Sequence, residues 1–259
     1  MIRWFASAFL VAVALCALLA PRIAPYSYDA QFREFPNAQA GRQFLMGTDD
    51  IGRDRFSRLL YATQISAVLA PAAALVSVAL ALLIAGIGGR MVTGITTICL
   101  SLPWIFLFII LRAELPLNTS PAISVLLTFA LMGVAGWAWP ARVFAASIEQ
   151  MRDSGWLLQA RAAGIAGWRI GWVYGWPHLR AIAWAQFRVL APAYILAEAS
   201  LGLLGLGVGD PLPSWGNLLQ DLQHPAVVRA NPWVLAPLGL LILVTICLET
   251  LHPAGEAAL

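Results

Sequence analysis

Residues 59–89 read LLYATQISAVLAPAAALVSVALALLIAGIGG, a run without a charged side chain. A helix needs about 20 apolar residues to cross the hydrocarbon core of a bilayer, and this run exceeds that length. Further uncharged runs cover residues 4–20, 91–111, 115–141 and 230–248. The pattern predicts several membrane-spanning helices.

A sixth apolar segment, residues 181–206, contains Arg188 and Glu198. Ionisable side chains are costly inside a bilayer, so both are candidates for a functional role. The alternative is that Arg188 extends to the membrane surface while Glu198 bonds a neighbouring helix. We therefore expect an all-α polytopic membrane protein with about six transmembrane helices. The first run is interpreted as a retained anchor rather than a signal peptide, because it is long and ends in a poor cleavage site.

Composition supports a membrane protein and excludes several functions. Of 259 residues, 60% are hydrophobic and 11% charged, against about half and about a quarter in soluble domains. All 16 basic residues are arginine, which excludes a P-loop or Schiff-base lysine, so any ATP that drives this protein must be hydrolysed by another chain. A net charge of +3 does not indicate nucleic acid. We expect no metal and no cofactor, since the candidate ligands are scattered: Cys16, Cys99, Cys247, His178, His224 and His252.

Arginine counting does not decide the orientation of the chain. With both termini in the cytoplasm, the inside loops would hold seven arginines and the outside loops eight. The positive-inside rule therefore favours neither arrangement.

Three connecting segments are long enough to carry function. In the first, residues 21–58, the sequence GTDDIGRD (47–54) combines turn residues with alternating charge before an amphipathic helix. A solvated helix cap is the simplest interpretation, with Asp49 or Asp50 capping that helix. In the third, residues 207–229, spaced glycines allow close helix packing and prolines end the preceding span.

The second segment, residues 142–180, is too polar to span a membrane. Trp168, Trp172 and Trp176 recur every fourth residue and would form one stripe on a helix, while Gly164 and Gly167 break the helix before them. Such a segment lies along the membrane surface as an aromatic belt, or in the groove of a partner.

Two of these stretches resemble a known family. Residues 45–58, LMGTDDIGRDRFSR, are similar to the GTDxxGRDxxSR signature of inner-membrane permease subunits of ATP-binding-cassette importers, in the dipeptide, oligopeptide and nickel group. Residues 195–208, ILAEASLGLLGLGV, and 213–217, PSWGN, resemble a second conserved stretch of its C-type permease. The resemblance implies an extracytoplasmic signature formed by Gly47, Thr48, Asp49, Gly52, Arg53 and Asp54.

The resemblance also implies topology and coupling. It places both termini in the cytoplasm of a bacterium, with residues 1–58 as anchor helix and extracytoplasmic loop and 59–259 as the permease domain. Residues 142–180 become a cytoplasmic segment that couples to the ATPase through Ala160, Arg161, Ala162, Gly164 and Pro177. The chain departs from the family at Leu158, where a Glu is usual, at Thr97, where an Asp is usual, and at Arg188, where a small or uncharged residue is usual.

The function implied is a non-enzymatic permease subunit that forms half of a translocation path for peptides across the inner membrane. Its partners would be a second permease, two ATP-binding subunits, an extracytoplasmic solute-binding protein and the lipid bilayer. We expect gating or packing roles for Glu198, Ser200, Gly205, Gly207, Ser214, Trp215 and Gly216. The alternatives are a nickel-chelate permease and a divergent assembly subunit that no longer transports, which Leu158 and Thr97 motivate. An enzyme acting inside the membrane is the least favoured of these alternatives, because the sequence shows no nucleophile paired with a general base.

Overall fold

The computed structural model describes residues 2–88, 90–114 and 120–251, and apart from two isolated β-bridges their regular structure is helical. The longer helices are α1 (Ile2–Ile23), α2 (Arg55–Ile87), α3 (Arg90–Ser101), α4 (Trp104–Glu114), α5 (Pro121–Ala135), α6 (Ala138–Arg152), α7 (Gly155–Ala162), α9 (Trp176–Leu203) and α12 (Ala236–Thr250). Short α-helices are α8 (Gly167–Arg169), α10 (Trp215–Leu218) and α11 (Pro225–Ala230). A π-helix covers Ile170–Gly175, and 3₁₀ turns cover Leu219–Gln223 and Pro232–Leu235.

Four helical stretches among the described residues are long and apolar enough to cross a membrane. They are Ile2–Ile23, Arg55–Ile87, Pro121–Arg152 and Pro232–Thr250. Large apolar side chains on these stretches are exposed, Leu83 and Leu126 among them. Such surfaces are unfavourable in water and favourable in lipid or against another subunit. The structure therefore confirms an all-helical fold with several long apolar helices.

Helix α2 lies at the centre and packs against α1, α5, α6 and α9. Its buried face carries small side chains, including Ala62, Ser66, Ala70 and Ser77. Small residues let helix backbones approach closely, which is how helices associate where lipid supplies no hydrophobic driving force.

The predicted third span, residues 91–111, is not one helix. Helix α3 ends at Ser101 and α4 begins at Trp104. Pro103 explains the break, because proline lacks an amide donor and disfavours helical geometry at the residue before it. Each half is too short to cross a bilayer alone, at about 18 Å for a 12-residue helix.

Two other predicted spans differ in their limits. The run 115–141 begins outside the described residues at 115–119, and the helical stretch Pro121–Arg152 is interrupted at Gly136–Trp137. The predicted segment 181–206 corresponds to α9, which starts earlier, at Trp176, and ends at Leu203. With 28 residues, α9 is about 42 Å long.

Candidate functional site

The signature turn, residues 47–54, is held by two glycines and one carboxylate. Gly47 and Gly52 have φ of 75° and 84°, a region that side chains disfavour. A Cβ at Gly52 would lie 2.2 Å from the carbonyl oxygen of Phe32. The Asp49 carboxylate accepts hydrogen bonds from the backbone amides of Ile51 (3.2 Å) and Arg53 (2.7 Å) and from Arg53 Nε (2.6 Å). The Asp49 side chain therefore closes this turn.

The prediction that Asp49 or Asp50 caps the following helix is wrong. The N-cap of α2 is Asp54, whose Oδ2 accepts from the Ser57 amide at 2.8 Å and from Ser57 Oγ at 2.6 Å. Asp54 immediately precedes the first helical residue, and only from there can a short side chain reach the free amides of the first turn.

The signature turn is joined to a distant part of the chain, the return loop of residues 204–224. Arg53 Nη1 and Arg58 Nη2 donate to Asp210 Oδ1 at 3.1 and 3.3 Å, and Arg55 pairs with Asp221. The structure thus brings the signature turn against the loop that contains part of the second stretch of the family resemblance. Their opposite charges were visible in the sequence, but nothing in the sequence showed that they pair.

The neighbouring carboxylates favour the charged form of Arg53. Burial alone would lower the pKa of the Arg53 guanidinium, but the hydrogen bond and charge of Asp49 and the charge of Asp210 raise it above its ordinary value. Side chains of the signature turn and of the return loop, Asn217 and His224 among them, line a polar cavity of about 270 Å³.

Glu198 is fully buried in α9 and bonds a neighbouring helix. Ser66 Oγ on α2 donates to its carboxylate at 2.8 Å and accepts from the Trp215 amide at 2.9 Å. The Ser214 side chain and the Gly216 amide also interact with the carboxylate. The buried Trp215 indole donates to Thr63 Oγ1 at 3.1 Å. The predicted residues Glu198, Ser214, Trp215 and Gly216 therefore lie together, and Ser66 and Thr63 complete a cluster that sequence analysis missed.

Glycine contacts make this arrangement possible. A Cβ at Gly202 would lie 2.4 Å from Gly216 Cα, and one at Gly207 would lie 2.8 Å from Gly202 Cα. The return loop therefore crosses the end of α9 at backbone contact distance. Gly205 follows the helix end with φ of 74°. Ser200 is exposed and donates to Leu196 O at 2.8 Å within α9, so it lies apart from the Glu198 cluster.

In the polar segment 142–180, the structure shows the predicted break at Gly164. Helix α7 ends at Ala162, and Gly164 has φ of 72°. Ala160 packs with Leu157 and Ile170 in a small buried cluster. Arg161, Ala162 and Leu158 point outward, and Pro177 lies in the first turn of α9.

The tryptophan stripe is present in part. Trp168 and Trp172 are exposed, and the rings of Trp172 and Trp176 stack with centroids 5.8 Å apart. The π-helix between α8 and α9 was not predicted, because a fourth-residue repeat does not distinguish it from an α-helix.

The departures from the family pattern also have structural positions. The hydroxyl of Thr97 accepts from Arg142 Nη2 at 2.6 Å, so the position where an Asp is usual faces a cation. Arg188 is partly buried on α9.

These features define a multi-pass helical membrane protein in which the ion pairs of the signature turn lie where a loop crosses the ends of two helices. Residues 53–255 match the profile of the family described as binding-protein-dependent transport system inner membrane component. The chain belongs to this family, and it is therefore an ABC transporter permease of the inner membrane, a transport subunit rather than an enzyme.

Named relatives agree with this assignment. The chain is 30% identical to the di/tripeptide transport system permease protein DppC of Pseudomonas aeruginosa over 251 residues, 92% of this chain and 80% of the relative. It is 29% identical to the oligopeptide transport system permease protein OppC of Escherichia coli K12, with the same coverage. It is 26% identical to the dipeptide permease DppC of Bacillus subtilis, covering 84% of this chain and 68% of the relative.

Proposed function

We propose that this chain forms half of the translocation path of a peptide importer. A second permease subunit would supply the other half, two ATP-binding subunits would drive transport, and an extracytoplasmic binding protein would deliver the peptide. The observation that carries the proposal is the similarity over 92% of the chain to permeases named for di- and tripeptides and for oligopeptides.

The proposed topology has six spans and both termini in the cytoplasm. The four long apolar stretches support four spans. Helix α9 and the α3–α4 pair supply the other two, α9 with Glu198 buried and Arg188 partly buried, and α3–α4 as a span broken at Pro103. Residues 1–58 would then place the signature turn outside, and residues 59–259 would form the permease domain.

The proposed coupling surface is the exposed side of α7 together with the break at Gly164. Arg161 and Ala162 point away from the buried Leu157–Ile170 cluster, so they are free to contact an ATPase. Two short helices joined at Gly164 can transmit a change of the ATPase dimer to the spans. Pro177 would fix the start of the span that follows.

This coupling assignment is tested by charge reversal. Arg161→Glu is expected to abolish solute-stimulated ATP hydrolysis without loss of the folded chain, since the side chain is exposed. Arg33→Glu, an exposed change on the proposed opposite side of the membrane, is the matched control. Equal behaviour of the two variants would contradict the assignment.

The substrate proposal is tested with the complex reconstituted in liposomes with its ATPases, second permease and binding protein. ATP hydrolysis is measured without solute, with a mixed peptide pool and with nickel chelates. We expect stimulation by peptides. Stimulation by nickel chelates alone would replace the substrate assignment with the nickel alternative. Unstimulated hydrolysis with every solute would favour a non-transporting assembly subunit.

A further inference from the structure

The helical stretch Pro121–Arg152 is interrupted in its middle by Gly136–Trp137, which separate α5 from α6. Pro140, fully buried, explains the interruption. In a continuous helix the amide of residue 140 would bond the carbonyl of residue 136, and proline has no amide to donate. Inside a membrane, backbone carbonyls released at such a break need donors from neighbouring helices.

One carbonyl beside the break, Gly133 O, receives its donor from another helix, whereas Met132 O also accepts from the backbone amide of Gly136 at 3.1 Å. Ser77 Oγ on α2 donates to Gly133 O at 2.7 Å, and Tyr194 Oη on α9 lies 3.0 Å from Met132 O. The two hydroxyl oxygens are 2.6 Å apart. Because each hydroxyl has one proton, Tyr194 can donate to Ser77 while Ser77 donates to Gly133, with Met132 O as the other acceptor for Tyr194.

The fit around the break is tight. A Cβ at Gly136 would lie 1.6 Å from Tyr194 Oη and 2.8 Å from Ser77 Oγ. Glycine at position 136 is therefore required for the tyrosine hydroxyl to reach the backbone. On its other side Tyr194, with Met132, Phe108 and Leu201, lines an apolar cavity of about 380 Å³.

We propose that Gly136–Trp137 is a hinge, and that Ser77 and Tyr194 are positioning residues that hold α5 and α6 in the arrangement seen here. Helix α6 continues from the hinge to Arg152, and only two residues separate it from α7, so movement of the polar segment reaches the hinge along one helix. This role in the transport cycle rests on the proposed function, whereas the hinge itself does not.

The hinge is tested by hydrogen–deuterium exchange of residues 132–141 in the full complex in nanodiscs. Ser77→Ala removes the donor to Gly133 O, whereas Tyr194→Phe leaves Ser77 in place. We expect the rise in exchange to be smallest for Tyr194→Phe, larger for Ser77→Ala and largest for the double variant. For Ser77→Ala the rise should be roughly tenfold, which corresponds to about 1.4 kcal/mol.

Matched controls are Ser147→Ala, whose hydroxyl bonds Val143 O within α6, and Tyr61→Phe, whose ring packs on Tyr28. Both should leave exchange at 132–141 unchanged. Unchanged exchange in Ser77→Ala and in the double variant would overturn the hinge. If the complex with Tyr194→Phe fails to assemble, the exchange measured in Ser77→Ala alone decides whether the hinge proposal holds.

Peptide-stimulated ATP hydrolysis is measured on the same samples. Raised exchange with reduced stimulation supports the proposed role in transport, and raised exchange with wild-type stimulation overturns it. If the wild-type complex shows no stimulation by peptides, the proposed substrate fails, while the exchange order still supports or overturns the hinge.

Discussion

Asp210 is the residue on which the junction between the signature turn and the return loop depends. Its side chain is 66% exposed, yet it is the acceptor for Arg53 and for Arg58, whose side chain is 5% exposed. A buried guanidinium that loses its carboxylate keeps the cost of burial without the compensating attraction. Asp210, although it is exposed, therefore contributes more to the stability of the fold than its exposure indicates.

Asp210→Ala should therefore lower the thermal stability of the purified complex. We expect a decrease in Tm of about 2–4 °C, as for a loss of about 1 kcal/mol in a domain of this size. Asp50→Ala, an exposed change in the signature turn, should have no effect. Equal Tm values for the two variants would show that the Asp210 contacts do not stabilise the fold.

Gly52 and Gly205 both adopt left-handed backbone but differ in their surroundings. An alanine at Gly205 meets open space, so Gly205→Ala should cost only the backbone strain, about 1–2 kcal/mol. Gly52→Ala adds a Cβ 2.2 Å from Phe32 O and should cost clearly more, measured as the yield of folded complex after mild heating. If both variants lost the same amount of folded complex, the backbone at Phe32 would be able to move away from the added Cβ at no measurable cost.

At the scale of single residues, sequence reasoning succeeded where local geometry decides. The break at Gly164 followed from the special conformational freedom of glycine. The cap of α2 was assigned to the wrong aspartate, because three aspartates lie within residues 49–54 and capping depends on which one precedes the first helical turn. The partner of Glu198, Ser66, lies on another helix and could not be identified from local sequence.

Among the elements, α9 and the return loop show how glycine sets the distance between two parts of the backbone. Gly202 and Gly216 touch with no room for a methyl group, and this contact places Trp215 against Thr63 and Ser66 of α2. The buried carboxylate of Glu198 depends on the same crossing.

Gly202→Ala is therefore expected to separate the return loop from α9 and to reduce the amount of monodisperse complex severely. Gly239→Ala is the matched control, since Gly239 lies in α12 and a Cβ added there would have no neighbouring atom within 4 Å. That control should be neutral or slightly stabilising, as alanine favours helix over glycine. Normal recovery of Gly202→Ala would show that the crossing can widen without cost.

Uncharged length predicted α1 and α2, because about 20 consecutive apolar residues are enough for a helix to cross the hydrocarbon core. It did not predict the interruptions at Pro103 and Gly136–Trp137, which arise from missing backbone donors rather than from hydropathy. Nor did it give the start of α9, since helical geometry continues through polar residues beyond an apolar run.

For the whole molecule, the family was predictable because its two marker stretches are local in sequence. The contact between the signature turn and the return loop was not predictable. It joins residues more than 150 positions apart, and the hydropathy of neither segment indicates such a contact. The coupling surface likewise remains a prediction, since its partner is another protein.

Leu158→Glu tests that surface by restoring the side chain usual in the family. Leu158 is 57% exposed, so the change should not disturb the fold. A charge-assisted contact with an ATPase would strengthen association by roughly tenfold or more, because such contacts contribute about 1.5–3 kcal/mol. The measurement is the affinity of the permease pair for the ATPase subunit. Leu158→Gln, similar in shape but uncharged, is the control, and the same affinity for both would contradict a charged contact.

The separation of Arg53 from Asp210 also bears on how the chain is made. The two residues are 157 positions apart, and at about 5–20 residues per second the ribosome needs roughly 8–31 seconds to reach the second after the first. During that interval Arg53 has only Asp49 as an acidic partner, and Arg55 and Arg58 lack the aspartates of the return loop. The junction is therefore among the later contacts to form during biosynthesis, and a chain released before Asp210 would leave Arg55 and Arg58 without their carboxylates.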